Sequence, residues 1–266
     1  TMDEKQPVLK NANVGVKAGR ICHVGSTAPQ EPARTVIDAA GRLLMPGLCN
    51  THTHLAMTVL RGYADDYTLQ DWLFKKVFPV EANFTPRTAK AGALLAVAES
   101  LRFGVTSLTC MDPYIPAIAE ACFEAGINAN IGNGYLCLDR GKYCFDSDNV
   151  TQQNSEMLER WHMADGGRIR LDAAIHAEYT SFDRVWDDAA RFAQDNGLNM
   201  HVHLSETESE HRECLERWGK TPAGILDEHG VFAARTTAAH AVWVSDADIE
   251  LLAARGAVAA HNPASN

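Results

Sequence analysis

Two histidines one residue apart, His52 and His54, lie in the stretch LLMPGLCNTHTHLAMTVLRGYADD that runs from residue 43 to 66. On a β-strand, residues i and i+2 point to the same face, so both imidazoles can bind one metal ion. Neutral imidazole is a good ligand for zinc and for iron. The motif alone is also compatible with two polar residues in a loop, and it leaves both interpretations open.

The same spacing recurs at His201 and His203, and Glu206 follows three residues after His203. Because His203 lies nearer the end of the predicted strand, we expect it to bind the metal and His201 to be a hydrogen-bonded core histidine. A metal ion lowers the pKa of a bound water to about 7. A carboxylate such as Glu206 could then carry the proton to a leaving group. The alternative role for Glu206 is a capping acid at a helix N-terminus.

Three further side chains could face a substrate or water. His240 ends a predicted strand, where it could hold the attacking water or be a buried histidine with both nitrogens satisfied. His176 ends another predicted strand. Glu81 lies in FPVEANF, and its local pattern alone favours the surface. Of the 11 histidines, those in or at the ends of predicted strands are His52, His54, His176, His201, His203, His240 and His261.

Strands alternating with helices must position these residues. Strand-like apolar runs cover 48–55, 104–112, 127–136, 170–179, 198–206, 236–244 and 256–263, and helical patterns cover 86–104, 115–126, 155–164, 182–197, 206–219 and 245–256. This alternation indicates a parallel sheet with helices outside it. The predicted fold class is α/β, a (β/α)8 TIM barrel with about seven of its strands present, and catalytic groups of such barrels lie at the carboxyl ends of the strands.

The predicted domains are a barrel over 46–266, truncated before strand eight, and part of a small β-sandwich subdomain over 1–45. ANVGVKAGRICHVG (12–25) predicts a hairpin turning on Gly19 and Arg20. The barrel would have unpaired edges at its first and seventh strands.

The composition of the chain limits the kinds of partner that we expect it to bind. The 266 residues carry a formal net charge of −10, which is a poor match for nucleic acid or an anionic membrane. No apolar run approaches the ~18 residues that span a bilayer, and the first residues lack the pattern of a signal peptide. The seven cysteines are scattered without C-x-x-C spacing. We therefore expect a cytoplasmic protein with reduced thiols, without a nucleic-acid or membrane partner.

Several stretches together resemble the amidohydrolase superfamily from about Gly19 to Asn266. They are LLMPGLCNTHTHLAMTVLRGYADD, VFPVEANFT, HVHLSETESE, AAHAVWVSDADIELLAARG and AHNPASN. PG-x-x-N-x-H-x-H, H-L-x-E-T and H-N-P-x-S-N in this order are specific to the superfamily. The stretch RGYADD, followed by DWL and PVEA, resembles sequences of one branch of the superfamily, the 5′-methylthioadenosine/S-adenosylhomocysteine deaminases.

The resemblance implies a role for each residue of the site. His52, His54 and His203 match ligands of one divalent metal ion, with zinc expected and iron as the alternative. Glu206 matches the acid that protonates a purine ring nitrogen, and His240 matches a histidine near the activated water. The residues that match or are placed near substrate-contacting positions are Glu81, His176, Trp72 and Arg140.

The implied reaction is hydrolytic deamination of an adenine nucleoside such as S-adenosylhomocysteine, 5′-methylthioadenosine or adenosine. Its products would be the inosine compound and ammonia. Alternatives are a guanine or cytosine deaminase, a triazine chlorohydrolase-like enzyme, or an inactive truncated remnant. The zinc deaminases that use P-C-x-x-C are excluded because that motif does not occur. A homo-oligomer is compatible with the family.

The family also carries a metal-binding aspartate at the end of strand eight. No residue of this sequence matches it, and Asp112, at the end of the second strand, is not a substitute by position. We therefore expect a fragment of a longer product, or weak metal binding and little turnover if the chain is complete. Coding sequence beyond codon 266 would distinguish the two.

Overall fold

The N-terminal part of the chain forms a β-hairpin. A computed structural model describes residues 4–5 and 8–266, and the chain divides into two compact units, Thr1–Gly47 and Leu48–Asn266. In the first unit, β1 (Asn13–Lys17) pairs antiparallel with β2 (Arg20–Gly25). The turn lies at Ala18 and Gly19, both with positive φ, so Arg20 begins a strand and is not the turn residue that the sequence suggested. Two successive residues with positive φ are typical of the turn type that matches strand twist.

The second unit is a nearly closed parallel barrel. Its strands are β3 (Leu48–Thr53), β4 (Val105–Met111), β5 (Asn128–Gly132), β6 (Gly134–Tyr135), β7 (Ile169–Ile175), β8 (Asn199–Leu204), β9 (Thr236–His240) and β10 (Val258–Ala260). The order is β10-β9-β8-β7-β5-β4-β3, every pair is parallel, and the short β6 also pairs with β7. The predicted fold class, with seven barrel strands, is confirmed.

Helices follow the strands. They are α1 (Leu69–Trp72), α2 (Phe78–Glu81), α3 (Pro86–Arg102), α4 (Ile115–Ala125), α5 (Asn149–Arg160), α6 (Ala164–Gly167), α7 (Asp183–Asp195), α8 (Glu208–Trp218), α9 (Pro222–Glu228) and α10 (Asp246–Arg255). A π-helical turn, Leu73–Val77, joins α1 to α2. None of the helices that the structure describes has the length and apolar character to span a bilayer.

Side-chain caps explain where several helices begin. Thr85, Thr207 and Ser245 accept hydrogen bonds from the backbone N–H three residues further on, at the starts of α3, α8 and α10. Such caps satisfy N–H groups that have no partner within the helix. Helix α5 begins at Asn149, six residues earlier than the helical pattern suggested, because Asp148 caps it.

The core lies on both sides of the barrel wall. Apolar strand residues such as Ile131, Leu171 and Val202 are fully buried, and the helices cover them with residues such as Ile118 and Trp186. Each such side chain contributes about 1.5–3 kcal/mol when it leaves water. This packing fixes the strands, and therefore the residues at their carboxyl ends.

Candidate active site

Three histidines converge at the carboxyl ends of the barrel strands. His52 lies in β3, His54 follows β3 directly, and His203 lies in β8. One nitrogen of each lies within 4.8 Å of the others. The Nε2 atoms of His54 and His203 are 3.3 Å apart. The structure therefore brings together the three residues that the sequence suggested as metal ligands.

The hydrogen bonds of two rings show what this cluster fits. Nδ1 of His54 lies 2.5 Å from the carbonyl oxygen of Met111, and Nδ1 of His203 lies 2.6 Å from that of His176. A carbonyl only accepts, so both Nδ1 atoms carry the hydrogen and both Nε2 atoms present lone pairs. Burial lowers the pKa of both rings and keeps them neutral. Two facing lone pairs repel each other unless a cation lies beside them, so this donor set fits a metal ion.

His201 supports the third ring. It is fully buried, and its Nε2 lies 2.9 Å from Nδ1 of His52. Burial and nearby histidines lower the pKa of His201 to about 3. Its Nδ1 has no hydrogen-bond partner among the described residues. His201 is therefore a core histidine with one bonded nitrogen, and it orients His52.

Glu206 lies on a turn that follows β8. The N–H groups of Ser205 and Glu206 donate to the two carboxylate oxygens of Glu210, at 2.8 and 2.7 Å. The cap of α8 is Thr207, so Glu206 does not have the capping role that was its alternative. Burial raises the pKa of the Glu206 carboxyl, and nearby His240 acts against this rise. A carboxyl with a raised pKa can act as a proton donor near neutral pH.

His240, the last residue of β9, faces Glu206. Its Nδ1 lies 3.5 Å from Oε1 of Glu206 and 3.0 Å from Oδ1 of Asn266. His240 and Ala241 both have positive φ, as does Ser205 on the neighbouring turn. Such backbone conformations cost about 1–3 kcal/mol each and cluster at functional sites. The ends of β8 and β9 are thus locally strained where their side chains meet.

A cavity of about 1670 Å³ lies over these residues. Glu81, Trp72 and His176 line it together with the three clustered histidines. Burial raises the pKa of Glu81 to about 7 and lowers that of His176 to about 3. The π-helical turn lies between Trp72 and Phe78 in the same wall, and such turns are frequent at functional sites.

Arg140 is not among the described residues that line this cavity. Its guanidinium pairs with Asp183 at 2.8 Å and lies over the ring of Phe182, and the side chain is 58% exposed. The carboxylate at the start of α7 holds Arg140 on the outer surface. The expectation that Arg140 contacts substrate is therefore not supported.

Two buried acids in the site region were not assigned a role from the sequence. Glu210 holds the turn that carries Glu206, and its position three residues after Thr207 is a signal that helix-capping patterns could have given. Asp112, in the cavity wall, is 3% exposed and bonds to backbone far away in the sequence. No local pattern announces that contact.

Comparison with known proteins places the chain. Residues 43–266 match the model of the amidohydrolase family, and the chain belongs to that family. It is 38% identical to 5′-deoxyadenosine deaminase of Methanosarcina mazei over 266 residues, 100% of this chain and 61% of that protein. It is 41% identical to 5-methylthioadenosine/S-adenosylhomocysteine deaminase 2 of Archaeoglobus fulgidus over 260 residues, 96% of this chain and 60% of that protein.

A solved structure gives the same picture. A crystal structure of an adenosine deaminase from Xanthomonas campestris with bound zinc superposes with a TM-score of 0.82 at 29% identity, and covers 98% of this chain and 60% of that one. These matches confirm the predicted resemblance to the amidohydrolase family and to its adenine nucleoside deaminases. The chain spans about three fifths of the length of the curated relatives that it matches.

Proposed function

We propose that this protein is a metal-dependent aminohydrolase that converts adenine nucleosides into the 6-oxo (inosine) product and ammonia. The observation that carries the proposal is a set of three histidine nitrogens within 4.8 Å, in one cavity with the partly buried acid Glu206. The names of the three proteins compared above, each an adenine nucleoside deaminase, support the choice of substrate class.

His52, His54 and His203 would hold one divalent ion, and we propose zinc, with iron as the alternative. When bound, the ion supplies Lewis acidity, which makes water nucleophilic near neutral pH. Neutral imidazoles suit this ion, and zinc is bound in the Xanthomonas campestris neighbour.

Glu206 would carry the proton between water and substrate. Water would add through its oxygen to C6 of the purine while the Glu206 carboxyl gives its proton to N1, and the Glu206 carboxylate would then take one proton from the added water. The remaining hydroxyl proton would pass to the 6-amino group, the C6–N bond would break, ammonia would leave and C6=O would form. Burial raises the pKa of Glu206, and this favours the protonated form that the transfer requires. His240, whose Nδ1 is engaged by Asn266, would orient the attacking water.

Glu81, His176 and Trp72 would contact the nucleoside. Glu81 ends α2 in the cavity wall, where its carboxylate could accept hydrogen bonds from the ribose hydroxyls. The ring of Phe78 meets the ring of His176 edge-on, with centroids 5.7 Å apart, and holds that histidine in place. These contacts would fix the nucleoside with its base towards the histidine cluster.

The charge of the cavity favours a nucleoside without a carboxylate. The acidic residues that line it are Asp65, Asp66, Glu81, Asp112, Glu206 and Glu208. Among the described lining residues, the lone lysine or arginine is Arg61, whose guanidinium pairs with Glu99. A carboxylate on the substrate would meet like charge from the exposed acids Asp65, Asp66 and Glu208. We therefore propose adenosine, 5′-deoxyadenosine and 5′-methylthioadenosine as better substrates than S-adenosylhomocysteine.

Ammonia release and metal content across a panel of substrates test the proposal. The protein is expressed from its gene with any coding sequence that continues past codon 266. We expect ammonia from the adenine nucleosides, loss of this activity in Glu206→Gln, and retention in Glu213→Gln, an exposed acid on α8, the helix that follows Glu206. Activity that survives Glu81→Ala would contradict the nucleoside assignment.

Other outcomes would replace the proposal. Ammonia from guanine or cytosine alone, or chloride from a chlorotriazine, would move the protein to another branch of the family. A metal-loaded protein that releases neither from any substrate would be the inactive remnant.

A further inference from the structure

Asp112 bonds to a turn that directly follows a proposed metal ligand. It is the first residue after β4 and is 3% exposed. Its Oδ2 accepts the N–H of Leu55 at 2.8 Å, and its Oδ1 accepts the N–H of Ala56 at 2.9 Å. Leu55 and Ala56, which we call the β3 turn, are themselves buried and begin a 3-10 helical turn, where N–H groups lack partners within the helix. The carboxylate satisfies both.

The other side of the β3 turn is held independently of Asp112. A Cβ atom added to Gly92 of α3 would lie 2.4 Å from the carbonyl oxygen of Ala56, so only glycine permits this close approach. The hydroxyl of Thr58 donates to the carbonyl oxygen of Gly92 at 2.7 Å. Because α3 seats the turn, we expect it to persist when Asp112 is replaced, with its exact placement relaxed.

Two consecutive residues at the end of β4, Met111 and Asp112, contact His54 and the two residues that follow it. The Met111 carbonyl fixes its ring through Nδ1 at 2.5 Å, and the Asp112 carboxylate fixes the two peptide N–H groups that follow it. The end of β4 thus positions both the ring of His54 and the backbone that follows it. Asp112 itself does not belong to the cluster of possible ligand atoms, and both its oxygens are engaged by backbone.

We propose that Asp112 is a positioning residue for His54: its carboxylate holds the β3 turn so that Nε2 of His54 faces the other histidines. The role of His54 as a metal ligand rests on the proposed function. The orientation of its ring does not, and it can be measured without metal or substrate.

The test compares Asp112→Asn with a matched control, Asp172→Asn, in the protein expressed from its gene with any coding sequence that continues past codon 266. Asp172 is also a buried barrel carboxylate, 1% exposed, and it accepts hydrogen bonds from the side-chain amides of Asn130 and Asn199. It does not line the cavity. In Asp112→Asn the amide group keeps one acceptor and turns a donor towards a second N–H, so one bond is lost with little change in volume.

Two measurements are made on each protein. Competition with a chromophoric chelator gives the affinity for Zn²⁺, and nitrogen NMR of the imidazoles of the metal-free chain gives the tautomer of His54. We expect Asp112→Asn to lower the Zn²⁺ affinity about 10–100-fold and to convert a single Nδ1–H tautomer into a mixture. Asp172→Asn should change neither. The absorption of the Co²⁺-loaded protein should keep its shape in Asp112→Asn, because no ligand is replaced.

Clear results would overturn the inference. An unchanged tautomer in Asp112→Asn, or equal losses of affinity in both variants, would reduce Asp112 to a general structural residue. A changed Co²⁺ spectrum would make Asp112 a ligand instead. If the unsubstituted chain binds no Zn²⁺, the proposed metal centre fails, and the tautomer measurement decides the role of Asp112 by itself.

Discussion

Two turns at the carboxyl ends of barrel strands are held by the same kind of bond, but their carboxylates come from different distances along the chain. In the β3 turn, Asp112 accepts two consecutive N–H groups 57 and 56 residues away. In the β8 turn, which comprises Ser205 and Glu206, Glu210 accepts two consecutive N–H groups five and four residues away. The first contact requires β3 and β4 to pair, whereas the second can form within one segment.

The backbone of the two turns also differs. Leu55 has φ of −67°, an ordinary helical value, whereas Ser205 has φ of 46°. The turn beside the proposed metal ligand is therefore relaxed and depends on tertiary contacts. The turn beside the proposed acid is strained, and a local pair of hydrogen bonds offsets that strain. A site can thus combine a proposed ligand placed by the whole barrel with a proposed acid placed by the helix that follows it.

The largest effect should separate the functions of the two turns. His54→Ala removes one nitrogen from the cluster and should weaken Zn²⁺ binding by more than about 100-fold. Glu206→Gln leaves the cluster intact and should retain Zn²⁺ affinity, while kcat for deamination falls about 10²–10⁴-fold because a proton donor is lost. Metal titration and ammonia release measure the two. A large loss of Zn²⁺ affinity in Glu206→Gln would show that the division is wrong.

The next effect concerns the local carboxylate. Glu210→Ala leaves the N–H groups of Ser205 and Glu206 without their acceptor, which should lower the free energy of unfolding by about 1–3 kcal/mol. Glu213→Ala, on the exposed face of the same helix, should change it by less than about 0.5 kcal/mol. Urea unfolding followed by circular dichroism compares the two variants. Equal losses would mean that Glu210 acts through helix propensity and not through the β8 turn.

A smaller effect is expected from Glu81 in the cavity wall, whose raised pKa should make the free energy of unfolding depend on pH. Burial raises the pKa of Glu81 from 4.5 to about 7, so the folded state holds this proton more tightly than the unfolded state. The folded state then carries more protons between these two values, and its stability falls as pH rises through this window. Relative to Glu81→Gln, the unsubstituted protein should lose on the order of 1 kcal/mol between about pH 5 and pH 8. Unfolding free energies that differ equally at both pH values would contradict the pKa shift.

The smallest effect is expected at Arg140, which belongs to neither turn. Arg140→Ala removes an exposed pair with Asp183, which should change the free energy of unfolding by less than about 0.5 kcal/mol. KM for adenine nucleosides should not change. A clear rise in KM would return Arg140 to the substrate site.

The sequence predicts the barrel well because its signals are local. Apolar runs mark the strands, and caps such as Ser245 with Gly256 mark helix α10 at both ends. The hairpin was predicted one residue out of place, because Ala18 adopts the positive φ that the pattern assigns more readily to glycine. The helical segment before Glu81 was missed, since its α-helical pieces are only four residues long.

The residues of the site also fall into two groups, those that local sequence signals predict and those that contacts between distant segments place. The histidine spacings on β3 and β8 point to a cluster because strand geometry is regular. The partner of Arg140 and the bonds of Asp112 depend on which distant segments become neighbours, and no periodicity in the sequence contains that information. Glu81 likewise lies in the cavity wall, in the short helix that follows the π-helical turn, whereas its local pattern alone suggested the surface.

The order of the strands gives the cluster of histidines a mechanical role. His52 lies on β3, at one end of the strand order, and His203 lies on β8, between β7 and β9. Among the described residues β3 pairs with one neighbour and β8 with two, and backbone with fewer partners opens more readily in local fluctuations. An ion shared by the two would couple β3 to the slow-exchanging centre of the barrel. Binding free energy would then appear as slower hydrogen exchange in β3, far more than in β8.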